Sequence, residues 1–272
     1  MRILFLGDIV GRDARDAVTS QLADIRRDYK IDTVIVNAEN AAHGFGVTAQ
    51  ICDDLYKAGV DCITTGNHVW DQREIMSYID SAPRLLRPIN FPDGTPGRGA
   101  SIIETARGQK ILVVNAMARL FMDAMDDPFA AMDKLCKSYR LGKDVQAIFL
   151  DFHGEATSEK MAMGHFLDGR VSFVVGTHTH VPTADTRVLP KGTGYQTDAG
   201  MCGCYDSVIG MDANIAVNRF IRKLPGEKLR PAEGAVTLSG VLFDVDPSTG
   251  LCKQALPFRK GGQLIATQAP AA

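Results

Sequence analysis

The sequence predicts an α/β protein with mixed β-structure, and three observations predict it. Short apolar runs alternate with amphipathic helical stripes through the first half, which implies crossover connections and mainly parallel strands. Near the end, residues 234–244 and 251–256 flank Asp246-Pro247-Ser248-Thr249-Gly250, a hairpin with turn chemistry, so antiparallel strands are added. No repeat, low-complexity block or linker divides the 272 residues. One domain over 1–272 is therefore expected, built on a single mixed sheet or on two stacked sheets. A tail from about 261, rich in Gly, Ala and Pro, is expected to fray.

Taken in order, residues 2–6 form an apolar run that stops at Gly7-Asp8, a strand and tight turn. Ala14, Val18, Leu22, Ile25 and Tyr29 make a helical stripe. Residues 33–36 are the next strand, running out through Asn37-Ala38 into Glu39-Asn40. Past the loop His43-Gly44-Phe45-Gly46, Thr48 is the N-cap of a helix closed by Gly59. A strand over 60–65 delivers Gly66-Asn67-His68, and a helix is predicted over 71–79. Residues 87–99, with Pro88, Pro92, Gly94, Pro96, Gly97 and Gly99, read as a long turn-rich loop. Strands follow at 101–103 and 111–114. Asp127-Pro128 opens a helix, with Asp as cap and Pro at the first helical position. Residues 147–150 form a strand ending in Asp151-Phe152-His153, and a helix over 158–166 leads to the strand at 171–175. Gly176-Thr177-His178-Thr179-His180 comes next, then a Gly-rich loop over 192–210.

Composition excludes several functions. Lys plus Arg number 30 against 32 Asp plus Glu, and 45% of residues are hydrophobic. Such a balance gives no pull toward duplex nucleic acid or a membrane surface. No apolar stretch approaches the ~18 residues of a membrane span. Ile3-Leu4-Phe5-Leu6 is too short for the apolar region of a signal peptide, so a cytoplasmic location is expected. The six cysteines form no C-x-x-C pair and no zinc-finger spacing. They read as reduced thiols; for Cys202 and Cys204, two apart in the Gly-rich loop, a metal or redox role is the alternative.

Five apolar strands are each followed, within three residues, by ligand-type or catalytic groups: Asp8; Glu39 and Asn40; Asn67 and His68; His153; His178 and His180. Each alone reads as an exposed loop residue. Together they read as a metal site, because the carboxyl ends of strands line the functional crevice of α/β sheets. Side chains two apart in extended backbone share a side, which predicts that His178 and His180 project into the same space. The donors exceed what one open catalytic ion takes from protein. Two ions about 3.5–4 Å apart would clamp a phosphoryl group and acidify a bridging water. Four positive charges less those of Asp8, Glu39 and a bridging hydroxide leave one, matched to a phosphodiester monoanion. Imidazole and oxygen donors without thiolate point to iron, manganese or zinc.

Gly66-Asn67-His68 and Gly176-Thr177-His178-Thr179-His180 resemble the GNH and GxHxH blocks of the calcineurin-like metallophosphoesterases. The usual D-x-H of the first strand is replaced by Asp8-Ile9-Val10, and the usual GD block by Asn37-Ala38-Glu39-Asn40. Both departures resemble the YmdB-like bacterial phosphoesterases. So do the blocks Asp151-Phe152-His153-Gly154-Glu155-Ala156-Thr157-Ser158-Glu159-Lys160 and Asp206-Ser207-Val208-Ile209-Gly210-Met211. The likeness covers about residues 1–258. It implies a four-layer αββα sandwich of two mixed sheets flanked by helices. It implies one metal at Asp8, Glu39, Asn40 and His180, and another at Glu39, Asn67, His153 and His178, with Glu39 bridging. Asn40 then stands in for the absent His of D-x-H, and a neutral amide makes that first metal the looser. The implied activity is hydrolysis of small cyclic nucleotides, 2′,3′-cyclic monophosphates foremost and 3′,5′-cyclic AMP as a further candidate. A metal-bridging hydroxide would attack phosphorus, and His68 would be the general acid.

Asp71 is near enough in sequence to orient His68. His43, in a Gly-rich loop, and Arg98 are weak candidates for binding substrate phosphate; His165 reads as a packing or surface residue. Gly7-Asp8-Ile9-Val10-Gly11 does not match the dinucleotide fingerprint. The partner expected is a small phosphodiester, and a homo-oligomer is compatible with the sequence. Two rivals remain: the same site acting on phosphomonoesters or RNA ends, and a regulatory module that binds nucleotide without turnover. A pure binder has little need of His68.

Overall fold

The computed structural model describes residues 1–222 and 226–267. Strand β1 (Arg2–Leu6) leads to helix α1 (Gly11–Tyr29), β2 (Thr33–Asn37), α2 (Ala49–Lys57) and β3 (Cys62–Thr64). These three strands are parallel neighbours in the order β1-β2-β3. The expected hairpin, β11 (Val236–Val245) and β12 (Cys252–Lys260), completes the same sheet, with β11 antiparallel to β1. The short β10 (Gly203–Cys204) also pairs with β11.

The other sheet runs β4 (Ala100–Glu104), β5 (Lys110–Met117), β6 (Ala147–His153), β7 (Phe173–Thr177), β9 (Gly194–Gln196) and β8 (Arg187–Val188). Its central strands β5, β6, β7 and β9 are parallel, and its two edges are antiparallel.

Alternation along the strands explains the layers. Ile3 and Phe5 of β1 face Val113, Phe149, Phe173 and Phe243 in a dry layer between the sheets. Phe173 and Phe243 stack at 4.4 Å, and Phe149 lies 5.1 Å from Phe5. Leu4 and Leu6 face the other way, against Ala14, Val18, Leu22 and Ile25 of α1 and Leu55 of α2. On the far sheet, Leu112, Ile148 and Val174 pack under α4 (Pro128–Ser138) and α5 (Thr157–Phe166) through Met132, Leu135 and Met163. The result is the four-layer αββα sandwich. Among the described residues no helix is long and apolar enough to cross a membrane.

Three local differences from the sequence reading have physical causes. The helix expected over 71–79 shrinks to α3 (Ile75–Tyr78) and a 3-10 turn over Ile79–Ser81. Residues 66–71 instead fold into successive turns, Val69 N–H to Gly66 and Asp71 N–H to His68, which present Asn67 and His68. Past the Gly-rich stretch, α6 (Ala213–Arg222) forms unannounced, its first turn capped by Asp212 Oδ1 accepting from Asn214 and Ile215 N–H. Of the tail, residues 261–267 bond back to the sheet: Gly261 O accepts from Thr237, and Thr267 Oγ1 accepts from Arg259 N–H. Residues 268–272 of that tail lie outside the described residues.

Candidate metal centre

The parallel strands of both sheets end on one side of the sandwich, and the groups carried there meet across the layer between the sheets. His178 N–H donates to Asp8 Oδ2 at 3.1 Å, and Asn37 Nδ2 donates to Asp151 Oδ2 at 3.0 Å. These bonds close the crevice that the sequence predicts at the strand tips.

Glu39, His153 and His178 bring ligating atoms within 4.8 Å of one another. His153 Nε2 lies 3.2 Å from Glu39 Oε1, 3.2 Å from His178 Nδ1 and 2.9 Å from Asn67 Oδ1. Glu39 and His153 are buried, Asn67 and His178 half-buried. Gly66 makes this approach feasible: a Cβ there would collide with Glu39 Oε2 and His153 Nε2. Burial raises the Glu39 carboxyl, but the charge and hydrogen bond of His153 outweigh it and hold Glu39 at about 2. Conversely, burial lowers His153 while Glu39 lifts it, to about 9. His178 is pushed down to about 3 by burial and then by His153. Glu39 and His153 thus stabilise opposite charges on each other.

Beside this cluster, Asn40 Nδ2 lies 3.2 Å from Glu39 Oε1 and 3.0 Å from His180 Nε2. His180 Nδ1–H donates to the Ile209 carbonyl at 2.7 Å, which turns Nε2 inward. Asp8 is wholly buried, and its Oδ1 has no hydrogen-bond partner. Burial raises its carboxyl above the usual range. A buried unpartnered carboxylate oxygen is costly, and a cation beside it removes the cost. The donor set fits metal on both sides of Glu39; ligation by the Asn40 oxygen needs only its amide turned end for end.

The two histidines of Gly176–His180 are not in extended backbone, yet both imidazoles reach groups that contact Glu39. His178 has φ 96° and His180 φ 65°, so the chain turns between them and each imidazole reaches a different group. Left-handed backbone at non-glycine residues needs support from its surroundings. Here Asp198, 1% exposed, supplies it: Oδ2 accepts from Thr179 N–H and Oγ1–H and pairs with Lys160 Nζ at 2.7 Å, itself 1% exposed.

His68 is half-buried at the rim. Its backbone N–H donates to Glu39 Oε2 at 3.2 Å, and its Nδ1 lies 2.8 Å from Asp71 Oδ2. Phe45 packs edge-on against the ring at 5.2 Å. The weaker candidates have other surroundings. His43 is exposed and lines, with Val10, Arg12 and Arg230, a surface cavity of about 270 Å³. Arg98 is exposed and donates to the Asp80 carbonyl. His165 is on the surface. Cys202 and Cys204 are free and buried, and burial pushes the Cys202 thiol up to about 12.

Lys160, Asp198, Thr177 and Asp151 support the centre yet were not predicted as site residues. Asp151 carried a signal, a carboxylate interrupting an apolar strand; burial pushes it up to about 7 against His153 and the Thr177 and Thr64 hydroxyls, which lower it.

The chain matches the family model described as "YmdB-like protein" over residues 4–257. A Bacillus subtilis (strain 168) protein named 2′,3′-cyclic-nucleotide 2′-phosphodiesterase is 50% identical over 249 residues, 92% of this chain and 93% of that protein. A Mycoplasma pneumoniae protein named putative phosphatase/phosphodiesterase is 36% identical, over 92% of this chain and 89% of its own. Among solved structures, a hypothetical protein from Thermus thermophilus superposes with TM-score 0.89 at 41% identity, covering 97% of this chain and 100% of that one. A crystal structure of a phosphatase from Mycoplasma pneumoniae gives TM-score 0.89 at 34% identity, over 96% and 93%. Sequence and fold agree over nearly the whole length, and the chain belongs to the YmdB-like family.

Proposed function

We propose that the protein is a dinuclear-metal phosphodiesterase that opens 2′,3′-cyclic nucleoside monophosphates at the 2′ oxygen, leaving a 3′-phosphate. The observation that carries this reading is the meeting of Glu39, His153 and His178 within 4.8 Å, beside the unpartnered Asp8 oxygen. The name of the Bacillus subtilis relative supports the substrate class.

Asp8, Glu39, Asn40 and His180 would hold one divalent ion, and Glu39, Asn67, His153 and His178 the other, with Glu39 shared. When bound, such ions supply positive charge for the developing phosphoryl oxygens and make water a nucleophile near neutral pH. Iron and manganese suit the donors best, and zinc is the alternative.

The chain's own residues do the rest. As the P–O2′ bond breaks, a ribose alkoxide must leave, and it is a poor leaving group unless protonated. His68 gives that proton from Nε2, because Asp71 occupies its Nδ1 side at 2.8 Å. Phe45 fixes the ring plane by its edge-on contact. Asp71 acts by orienting the ring through that Nδ1 contact.

The names of the Mycoplasma relatives favour a second reading, phosphomonoester hydrolysis. Anaerobic purification with metal quantification, followed by turnover of 2′,3′-cyclic AMP, 3′,5′-cyclic AMP and 5′-AMP, separates the two. Two ions per chain and 3′-AMP as product of the 2′,3′-cyclic substrate are expected. A metal-replete protein that releases phosphate from 5′-AMP and leaves the cyclic diester intact would sink the proposal.

A further inference from the structure

Strand β6 is buried along its whole length, and most of it is apolar. Asp151 interrupts it two residues before His153 and is not among the groups whose ligating atoms gather with Glu39, His153 and His178. Its oxygens are filled instead by donors on three other strands: Oδ1 by the Thr177 hydroxyl at 2.6 Å, Oδ2 by the Thr64 hydroxyl at 2.6 Å and the Asn37 amide at 3.0 Å.

Two consequences follow from counting protons. A hydroxyl has one hydrogen, and Thr177 spends it on Asp151. The 2.9 Å contact between Thr177 Oγ1 and His153 Nδ1 therefore takes its proton from the imidazole. Nδ1 is then the N–H nitrogen, and Nε2 is the one turned toward Glu39, Asn67 and His178. On the other branch, Asn37 gives its amide N–H groups to Asp151 and the Thr65 carbonyl. Its Oδ1 is left to accept from Glu39 N–H at 3.0 Å, which fixes the backbone that carries Glu39. One fully buried carboxylate thus touches the supports of two ligand side chains on opposite sheets.

We propose that Asp151 is the positioning residue of the metal centre, orienting His153 through Thr177 and Glu39 through Asn37. The inference rests on the metal-centre reading above. Outer partners of this kind govern metal affinity by about 10–100-fold.

The test uses Mn²⁺ alone, bound to metal-stripped protein and followed by electron paramagnetic resonance, with ¹⁵N NMR of the histidines. Thr177→Val removes the hydroxyl and keeps the shape; Thr177→Ser keeps the hydroxyl. Thr177→Val and Asp151→Asn are expected to weaken Mn²⁺ by about 10–100-fold, and Thr177→Ser to restore most of the affinity. The His153 signal of the metal-free wild type should show a protonated Nδ1 hydrogen-bonded to an oxygen, and Thr177→Val should lose that signature. If Asp151→Asn does not fold, the Thr177 pair still decides. Wild-type affinity in Thr177→Val, or equal weakening in Val and Ser, overturns the inference. A wild type that takes up no Mn²⁺ fails the metal-centre reading itself, a different outcome.

Discussion

At Glu39 the site concentrates two demands on one side chain: its Oε1 faces His153 and its Oε2 takes the His68 N–H. Glu39→Gln keeps the shape and removes the charge, so metal content and activity should fall together; elemental analysis of the purified variant checks this, and full occupancy would contradict sharing. His68→Ala should lower kcat on 2′,3′-cyclic AMP by ~10²–10⁴-fold with both metals retained. The loss should shrink on bis-p-nitrophenyl phosphate, whose leaving group needs no acid. The gathering of Asp8, Glu39, Asn67, His153, His178 and His180 was legible in the sequence because each follows an apolar run that ends abruptly. Lys160 and Asp198 were not legible, since a buried polar group looks the same in sequence whether it supports a site or merely satisfies itself; Asp151 stood out as a carboxylate in an apolar strand, but its partners did not. For His43 and Arg98, basic residues in loops, position in sequence carries no information about direction.

The loop Gly176–His180 shows what an element adds to its residues. Period-two reasoning put both imidazoles on one side, but positive φ at His178 and His180 sends them to different groups. That geometry is set by Asp198 and Lys160, which come from segments with no evident link in the sequence. Asp198→Ala should strand the Lys160 charge, 1% exposed, at a cost of about 3–5 kcal/mol, read as a lower urea midpoint. Metal affinity should fall with it, because the loop loses its anchor. The short α3 teaches the same lesson. The helix expected over 71–79 gives way at its start to turns where the chain presents Asn67 and His68 toward Glu39. The longer strands, by contrast, were readable, since long apolar runs between turn residues have few other uses; the short β8 was not, nor were β9 and β10, which form inside the stretch read as a Gly-rich loop.

Across the molecule, the layer between the sheets holds both halves of the centre in register. Phe243 stacks on Phe173 at 4.4 Å and on Phe149 at 5.8 Å. Phe243→Ala should cost about 3–5 kcal/mol, and weaker metal binding should accompany the lower stability. Chelation of the wild type should lower Tm by roughly 5–10 °C, since a ligand at 100 times its Kd stabilises by about 2.7 kcal/mol; scanning calorimetry with and without added Mn²⁺ checks it.

The placement of β11 beside β1 has a consequence for biosynthesis. Residues 2–6 are made well before residues 236–245, yet those are one of their two neighbours. A growing chain on the ribosome therefore carries β1 with an open edge until residues 236–245 have been translated. Asp8, at the tip of that strand, reaches its final setting only then. Polypeptides released early, before about residue 245, should be prone to stick to one another through that edge and should be inert as enzymes.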